Sequence, residues 1–152
     1  MMSIALTLHV ISALIWVGGM FFAYVCLRPA LGSLDDGPQR LTIWAKTLKK
    51  FFPWVWMCII ILFITGFYMI HLIGGFSVIG HHINIMAALA MIMTLIFKFV
   101  YVAPFRHLCR GVEEEKWPTA AYALGTIRLL VSVNLVLGLL TVVAAVGLKG
   151  WI

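Results

Sequence analysis

The middle of this chain lacks formal charge. No Asp, Glu, Lys or Arg occurs between Phe51 and Phe97, and 64% of all residues are hydrophobic. A soluble domain is closer to half apolar. The uncharged stretch is too long for one helix and suits two, because a bilayer core of roughly 30 Å needs about 20 apolar residues per helix. The absence of charged residues from this segment therefore argues against a surface that faces water, and it predicts a pair of membrane-spanning helices.

Several patterns that carry chemistry in other proteins are also missing. The three cysteines have no paired metal-site spacing, so we expect them to be packing residues. Three of the five acidic residues form one run at positions 113–115, which is typical of a solvated loop and gives no catalytic carboxylate pair. The N-terminus has no basic segment, so we expect no cleaved signal peptide. The basic residues flank apolar stretches, which makes nucleic acid an unexpected partner.

Four apolar spans are present, at about 4–26, 54–73, 83–105 and 127–148. Only short connections join them. We therefore predict an all-α fold, an integral membrane four-helix bundle that forms a single transmembrane domain over residues 1–152. Residues 41–52 are predicted to form a separate amphipathic helix at the membrane interface, and residues 74–80 a turn between the second and third spans.

The basic residues predict the orientation in the membrane. They concentrate in two connections, residues 28–50 and 106–128, whereas the 74–80 turn carries no charge. Positively charged connections face the cytoplasm. Both termini and the 74–80 turn are therefore expected outside, with the lipid bilayer as the main partner and anionic lipid near the basic loops.

Small and polar residues line one face of the first span and one face of the last. Such faces pack against other helices in a membrane. We expect both faces to point into the bundle, and they also permit a homo-oligomer. The residues are His9, Ser12, Ala13, Trp16, Gly19 and Ala23 in the first span, and Asn134, Gly138, Thr141 and Ala145 in the last.

The histidines form the candidate site. On the predicted topology His9, His71 and His82 come from three helices to one outer layer of the membrane. His9 lies roughly 8 Å inside the first span at 1.5 Å per residue. Met86 follows His82 by four residues and shares its helix face. An ionisable side chain inside a span is by default a functional residue, so we expect a ligand site at this end.

The residue types allow three interpretations of that site. Imidazole and thioether together suit copper, with His9, His71, His82 and Met86 as metal ligands. Alternatively, a b-type haem is held by His9 and either His71 or His82, with Trp16 as part of the pocket, which would give a membrane redox protein or oxidase. In the third interpretation the protein is a cofactor-free structural membrane subunit, and its histidines only complete the packing or face water.

Several short segments carry a family resemblance over nearly the whole chain. They are residues 8–9 (LH), 16–22 (WVGGMFF), 27–31 (LRPAL), 51–54 (FFPW), 66–71 (GFYMIH) and 128–138 (RLLVSVNLVLG). The chain resembles the small single-domain members of the CopD-type (copper resistance D) membrane proteins. The resemblance implies a multi-pass protein of the bacterial inner membrane, with periplasmic termini, that serves copper uptake or handling through a periplasmic-side His/Met site.

A more distant similarity is to the HemJ-type protoporphyrinogen oxidases, which carry b haem. Leu8, His9 and Trp16 resemble the first helix of that family, and the length and topology agree. The Asn-Glu-x-Pro signature of its last helix is replaced here by residues 133–136 (VNLV). This similarity implies haem in the same place and, if the protein is an enzyme, a haem-dependent membrane oxidoreductase.

Overall fold

The computed structural model describes residues 1–75 and 80–147, and these residues form helices with no strand among them. The all-α prediction is confirmed. The elements are α1 (Met2–Phe21), a π-helical segment (Phe22–Leu27), α2 (Arg28–Gly32), α3 (Gly37–Ile73), α4 (His81–Val102), α5 (Pro104–Glu113) and α6 (Trp117–Gly147).

Four helical stretches are long and apolar enough to cross a membrane, which confirms the membrane four-helix bundle. They are Met2–Gly32, Gly37–Ile73, His81–Glu113 and Trp117–Gly147. Each extends beyond the bounds expected from hydropathy at its charged end. The 37 residues of α3 span roughly 55 Å at 1.5 Å per residue, well over the thickness of a bilayer core. The basic end of the bundle therefore projects out of the apolar layer.

Residues 41–52 are the first part of α3, whereas the sequence predicted a separate interfacial helix. Their apolar face is buried in the protein, with Trp44 4% and Phe52 2% exposed, so it packs against neighbouring helices and does not lie on lipid. Asp36 caps the helix by accepting a hydrogen bond from the Gln39 backbone N–H at 3.1 Å. Pro53 lies inside α3 and removes one backbone hydrogen bond without ending the helix.

The other end of α3 closes on two glycines. Gly74 has φ 115°, and its N–H donates to the His71 carbonyl at 3.3 Å, while the Gly75 N–H donates to Ile70 at 2.9 Å. This pattern is a Schellman cap, which requires a left-handed residue that glycine adopts without strain. The cap sets His71 in the last turn of α3. Residues 76–79 of the predicted turn lie outside the described residues.

The bundle is built from two helix pairs, α1 with α3 and α4 with α6, and α5 also packs on α6. The pairs meet where α6 carries a glycine. A Cβ at Gly138 would lie 2.9 Å from Cγ2 of Val17, so α1 and α6 touch closely there. Asn134 donates to the Met93 carbonyl of α4 at 3.1 Å. The small polar stripe of α6 therefore faces the bundle, as its spacing predicts.

Aromatic rings fill the interior between α1, α3 and α4. Phe97 is 5% exposed, and its ring centroid lies 5.2 Å from Phe52, 5.3 Å from Trp56 and 6.3 Å from Trp16, all edge-on. Edge-to-face contacts are favourable because a positive ring edge meets a negative ring face. This aromatic cluster packs the middle of the bundle closely.

Candidate functional site

His9 is half-buried on α1 and rests on the opposing face of α3. Its Nδ1 lies 2.9 Å from Oγ1 of Thr65. The ring also covers Gly66, where an added Cβ would lie 3.4 Å from the His9 Cε1. A short hydroxyl side chain followed by glycine thus makes the seat for the imidazole.

The hydrogen bonds of Thr65 favour one position for the proton on the His9 ring. Oγ1 of Thr65 lies 2.6 Å from the Ile61 carbonyl oxygen, so its only hydroxyl proton is donated there. With that proton donated to Ile61, the hydroxyl can accept from His9, an arrangement in which the ring proton lies on Nδ1. The neutral imidazole carries its lone pair on Nε2. Histidines that bind metals usually donate their second ring N–H to such a partner, which fixes tautomer and orientation.

The other predicted ligands lie at the same end of the bundle. α3 runs antiparallel to α1, since His9 near the start of α1 meets Thr65 near the end of α3. His71 is exposed in the last turn of α3, and His82 is half-buried in the first turn of α4. Met86 follows one turn later and is also half-buried.

The His82 ring folds back over the backbone that precedes α4. A Cβ at Gly80 would lie 2.7 Å from its Nδ1, so only glycine leaves room for this position. That Nδ1 is buried and has no hydrogen-bond partner among the described residues. His82 thus has an unused ring nitrogen in a confined place.

These side chains are not gathered into one cluster. In residues 1–75 and 80–147 no three or more His, Cys, Asp or Glu side chains are placed to hold a metal ion together. His9 packs against α3, whereas the helix that carries His82 packs on α6. The four-ligand set stays a prediction, and His9 with Thr65 is its most fully formed part.

Trp16 lies two turns below His9, as expected, but as part of the packed interior. It is 3% exposed and lines a cavity of about 40 Å³. A space of this size holds a few water molecules and is far too small for a porphyrin. The residues around Trp16 therefore do not fit a haem.

Thr65 is the residue that the sequence alone did not single out. The glycine that follows it, Gly66, permits a close approach of another helix, and the hydroxyl beside that glycine was the available signal. A threonine inside an apolar helix usually bonds its own backbone four residues back, as Thr65 does with Ile61. Only the approach of α1 shows that the same oxygen serves a histidine.

The four long apolar helices define a multi-pass membrane protein. One imidazole, that of His9, is held in a fixed orientation near one end of the bundle. The family model described as copper resistance protein D (CopD) matches residues 45–148, more than half of the chain. The chain belongs to this family, as the resemblance implied. The match covers most of α3 and all of α4 to α6, and leaves α1 with His9 outside it. No curated protein and no solved structure matches the chain.

Proposed function

We propose that this protein takes up copper as cargo at the end of the bundle that carries His9, for import or delivery. His9 Nε2 is the first ligand, and His71, His82 and Met86 complete the coordination. Two observations support the proposal: membership of a copper-resistance family of membrane proteins, and the 2.9 Å contact of His9 Nδ1 with Thr65, which leaves Nε2 as the nitrogen available to a metal.

The donor types suit Cu(I). Thioether and imidazole are ligands that this soft ion accepts, and neither needs to lose a proton near neutral pH when the histidine is neutral. His9 is held by α3, so binding there requires little ordering of the side chain. His71 is exposed at a helix end, which suits capture of the ion from the aqueous side before it reaches His9.

The proposal is tested by Cu(I) titration of the detergent-purified full chain against a colorimetric Cu(I) chelator. We expect wild-type protein to bind one Cu(I), and His9→Ala to raise the Kd at least tenfold. His107→Ala is the matched control. His107 lies in α5, at the basic end, and its Nδ1 also has an acceptor, the Ala103 carbonyl at 2.9 Å. A wild-type Kd in His9→Ala would contradict the proposal.

The other three proposed ligands are tested with a separate variant. Loss of His71, His82 and Met86 together is expected to weaken Cu(I) binding further than any one of the three substitutions. If the triple variant binds with the wild-type Kd, these residues are not ligands, whatever His9 does.

A further inference from the structure

Three arginines from three helices line one open cavity at the basic end of the bundle. Arg28 belongs to α2, Arg40 to the first turn of α3 and Arg128 to α6, about three turns in. The cavity has a volume of about 510 Å³. Its other lining residues are Tyr24, Pro29 and Gly32. We call this space the arginine cavity.

None of the three arginines is neutralised by a carboxylate within the part of the chain that the structure describes. The one ion pair recorded there joins Lys116 to Glu114 at 2.6 Å, and this pairing holds the pKa of Glu114 below its usual range. Three like charges around one cavity repel one another. An anion between them would offset this repulsion.

Arg128 is oriented but keeps free donors. Its Cζ lies 5.3 Å from the centroid of the Trp44 ring, and Trp44 is 4% exposed. This cation–π contact holds the guanidinium in place. The Arg128 Nε is buried without a hydrogen-bond partner among the described residues. A guanidinium has five N–H donors, so this one has donors to offer an incoming acceptor.

The π-helical segment Phe22–Leu27 positions the second arginine. The Arg28 N–H bonds to the Ala23 carbonyl, five residues back, which inserts one residue into the turn. Relative to a regular α-helix, the insertion rotates the next turn of the chain by about 100°. The Arg28 Cζ lies 4.9 Å over the Tyr24 ring, and both residues line the cavity. π-turns are frequent at functional sites, and this one serves the arginine cavity.

We propose that the arginine cavity binds a phosphate group, either the headgroup of an anionic phospholipid or inorganic phosphate. Arginine matches phosphate because its planar fork makes paired hydrogen bonds to two oxygens. The cavity lies far from the copper site, since Arg28 is 19 residues beyond His9 along the first stretch, roughly 28 Å at 1.5 Å per residue. The proposal is therefore independent of copper binding.

The first test measures lipid retention by native mass spectrometry. The full chain is reconstituted in phosphatidylcholine nanodiscs with a minor share of phosphatidylglycerol, then released and delipidated stepwise. We expect wild type to retain one phosphatidylglycerol, and Arg40→Gln and Arg128→Gln to retain at least tenfold less. Arg106→Gln is the matched control, because Arg106 is an exposed cation of α5 that does not line the cavity.

The second test separates the two sources of phosphate. Delipidated protein is titrated with inorganic phosphate by calorimetry, with and without phosphatidylglycerol. Retained lipid that millimolar phosphate does not displace identifies a headgroup site, whereas stoichiometric phosphate binding that depends on Arg40 and Arg128 identifies a free-anion site. Both support the proposal.

Two results would overturn it. One is wild-type binding of lipid and phosphate by Arg40→Gln and Arg128→Gln, and the other is an equal loss in Arg106→Gln. Thermal unfolding checks the fold of every variant. If Arg128→Gln does not fold, Arg40→Gln decides, because Arg40 lies in the first turn of α3 outside the packed interior.

Discussion

Among single residues, two histidines differ in a way that explains why one of them is proposed as a copper ligand and the other is not. His9 and His107 both have an acceptor at Nδ1. For His107 the acceptor is a carbonyl of its own helix, four residues back, and the side chain is exposed. For His9 the acceptor is a hydroxyl on another helix. Only in His9 does helix packing determine where Nε2 points.

The Thr65→Val substitution tests this role directly. Valine has nearly the shape of threonine but cannot accept the His9 Nδ1 proton. We expect the Cu(I) Kd to rise about tenfold, in the range found for residues that orient metal ligands, while the helix content stays unchanged. The measurement is the same chelator competition that serves His9→Ala.

Thr94→Val is the control for that substitution. Thr94 also donates to the carbonyl four residues back, Ala90 at 2.8 Å, but has no histidine partner in the described chain. We expect it to leave the Kd unchanged. Equal Kd values for Thr65→Val and wild type would show that Thr65 does not position the ligand.

Between helices, glycine sets how closely two elements approach. Two glycines of α6 differ in what surrounds them. A Cβ at Gly138 would lie 2.9 Å from Val17 and 3.2 Å from the Met93 Cε, whereas nothing lies within 4 Å of a Cβ at Gly125. The first joins three helices and the second faces open space.

We therefore expect opposite results from one chemical change at these two positions. Gly138→Ala should lower the free energy of unfolding by about 1–3 kcal/mol, since α1 or α4 must shift to admit the methyl group. Gly125→Ala should leave it unchanged or raise it by up to about 1 kcal/mol, because alanine favours the helix. Unfolding by denaturant in mixed micelles measures both, and equal effects would contradict the close packing at Gly138.

The boundaries of the helices show what a hydropathy pattern cannot predict. The apolar part of α3 was evident from the sequence, but Pro53 and the lysines before it suggested two helices. The first part is continuous because Leu48 and Phe52 are buried against the other helices, 4% and 2% exposed. The local sequence pattern predicts an amphipathic helix, whereas the tertiary structure decides whether its apolar face contacts lipid or protein.

Across the entire bundle, the two ends carry different chemistry. His9, His71, His82 and Met86 lie at one end, whereas arginines and lysines, together with His107, lie at the other. The basic end is predicted to face the cytoplasm. Copper capture and phosphate binding would then occur on opposite sides of the membrane, with the aromatic interior between them.

Cysteine labelling tests this orientation. In a variant without the three natural cysteines, Ser3→Cys and Ser33→Cys place one thiol at each end, and both serines are exposed. In intact spheroplasts we expect a membrane-impermeant maleimide to label position 3 but not position 33. Position 33 should react only after the membrane is permeabilised, and the reverse pattern would invert the topology.

The class of this protein is evident from the sequence alone. An uncharged stretch between Phe51 and Phe97 requires lipid as solvent, four apolar spans require a helical bundle, and the family segments point to copper resistance. These features are local in the chain, so composition and spacing report them. The place of His9 inside a span was also visible, because it follows from counting residues along one helix.

The partners of these residues became visible only in the folded bundle. Thr65 binds the His9 ring although 56 positions separate them, and Arg28, Arg40 and Arg128 meet around one cavity from three separate helices. Trp16 is packed into the interior and does not border a cofactor-sized space. One physical cause is common to all three cases: contacts between helices depend on rotation and crossing, which a single helix pattern does not specify.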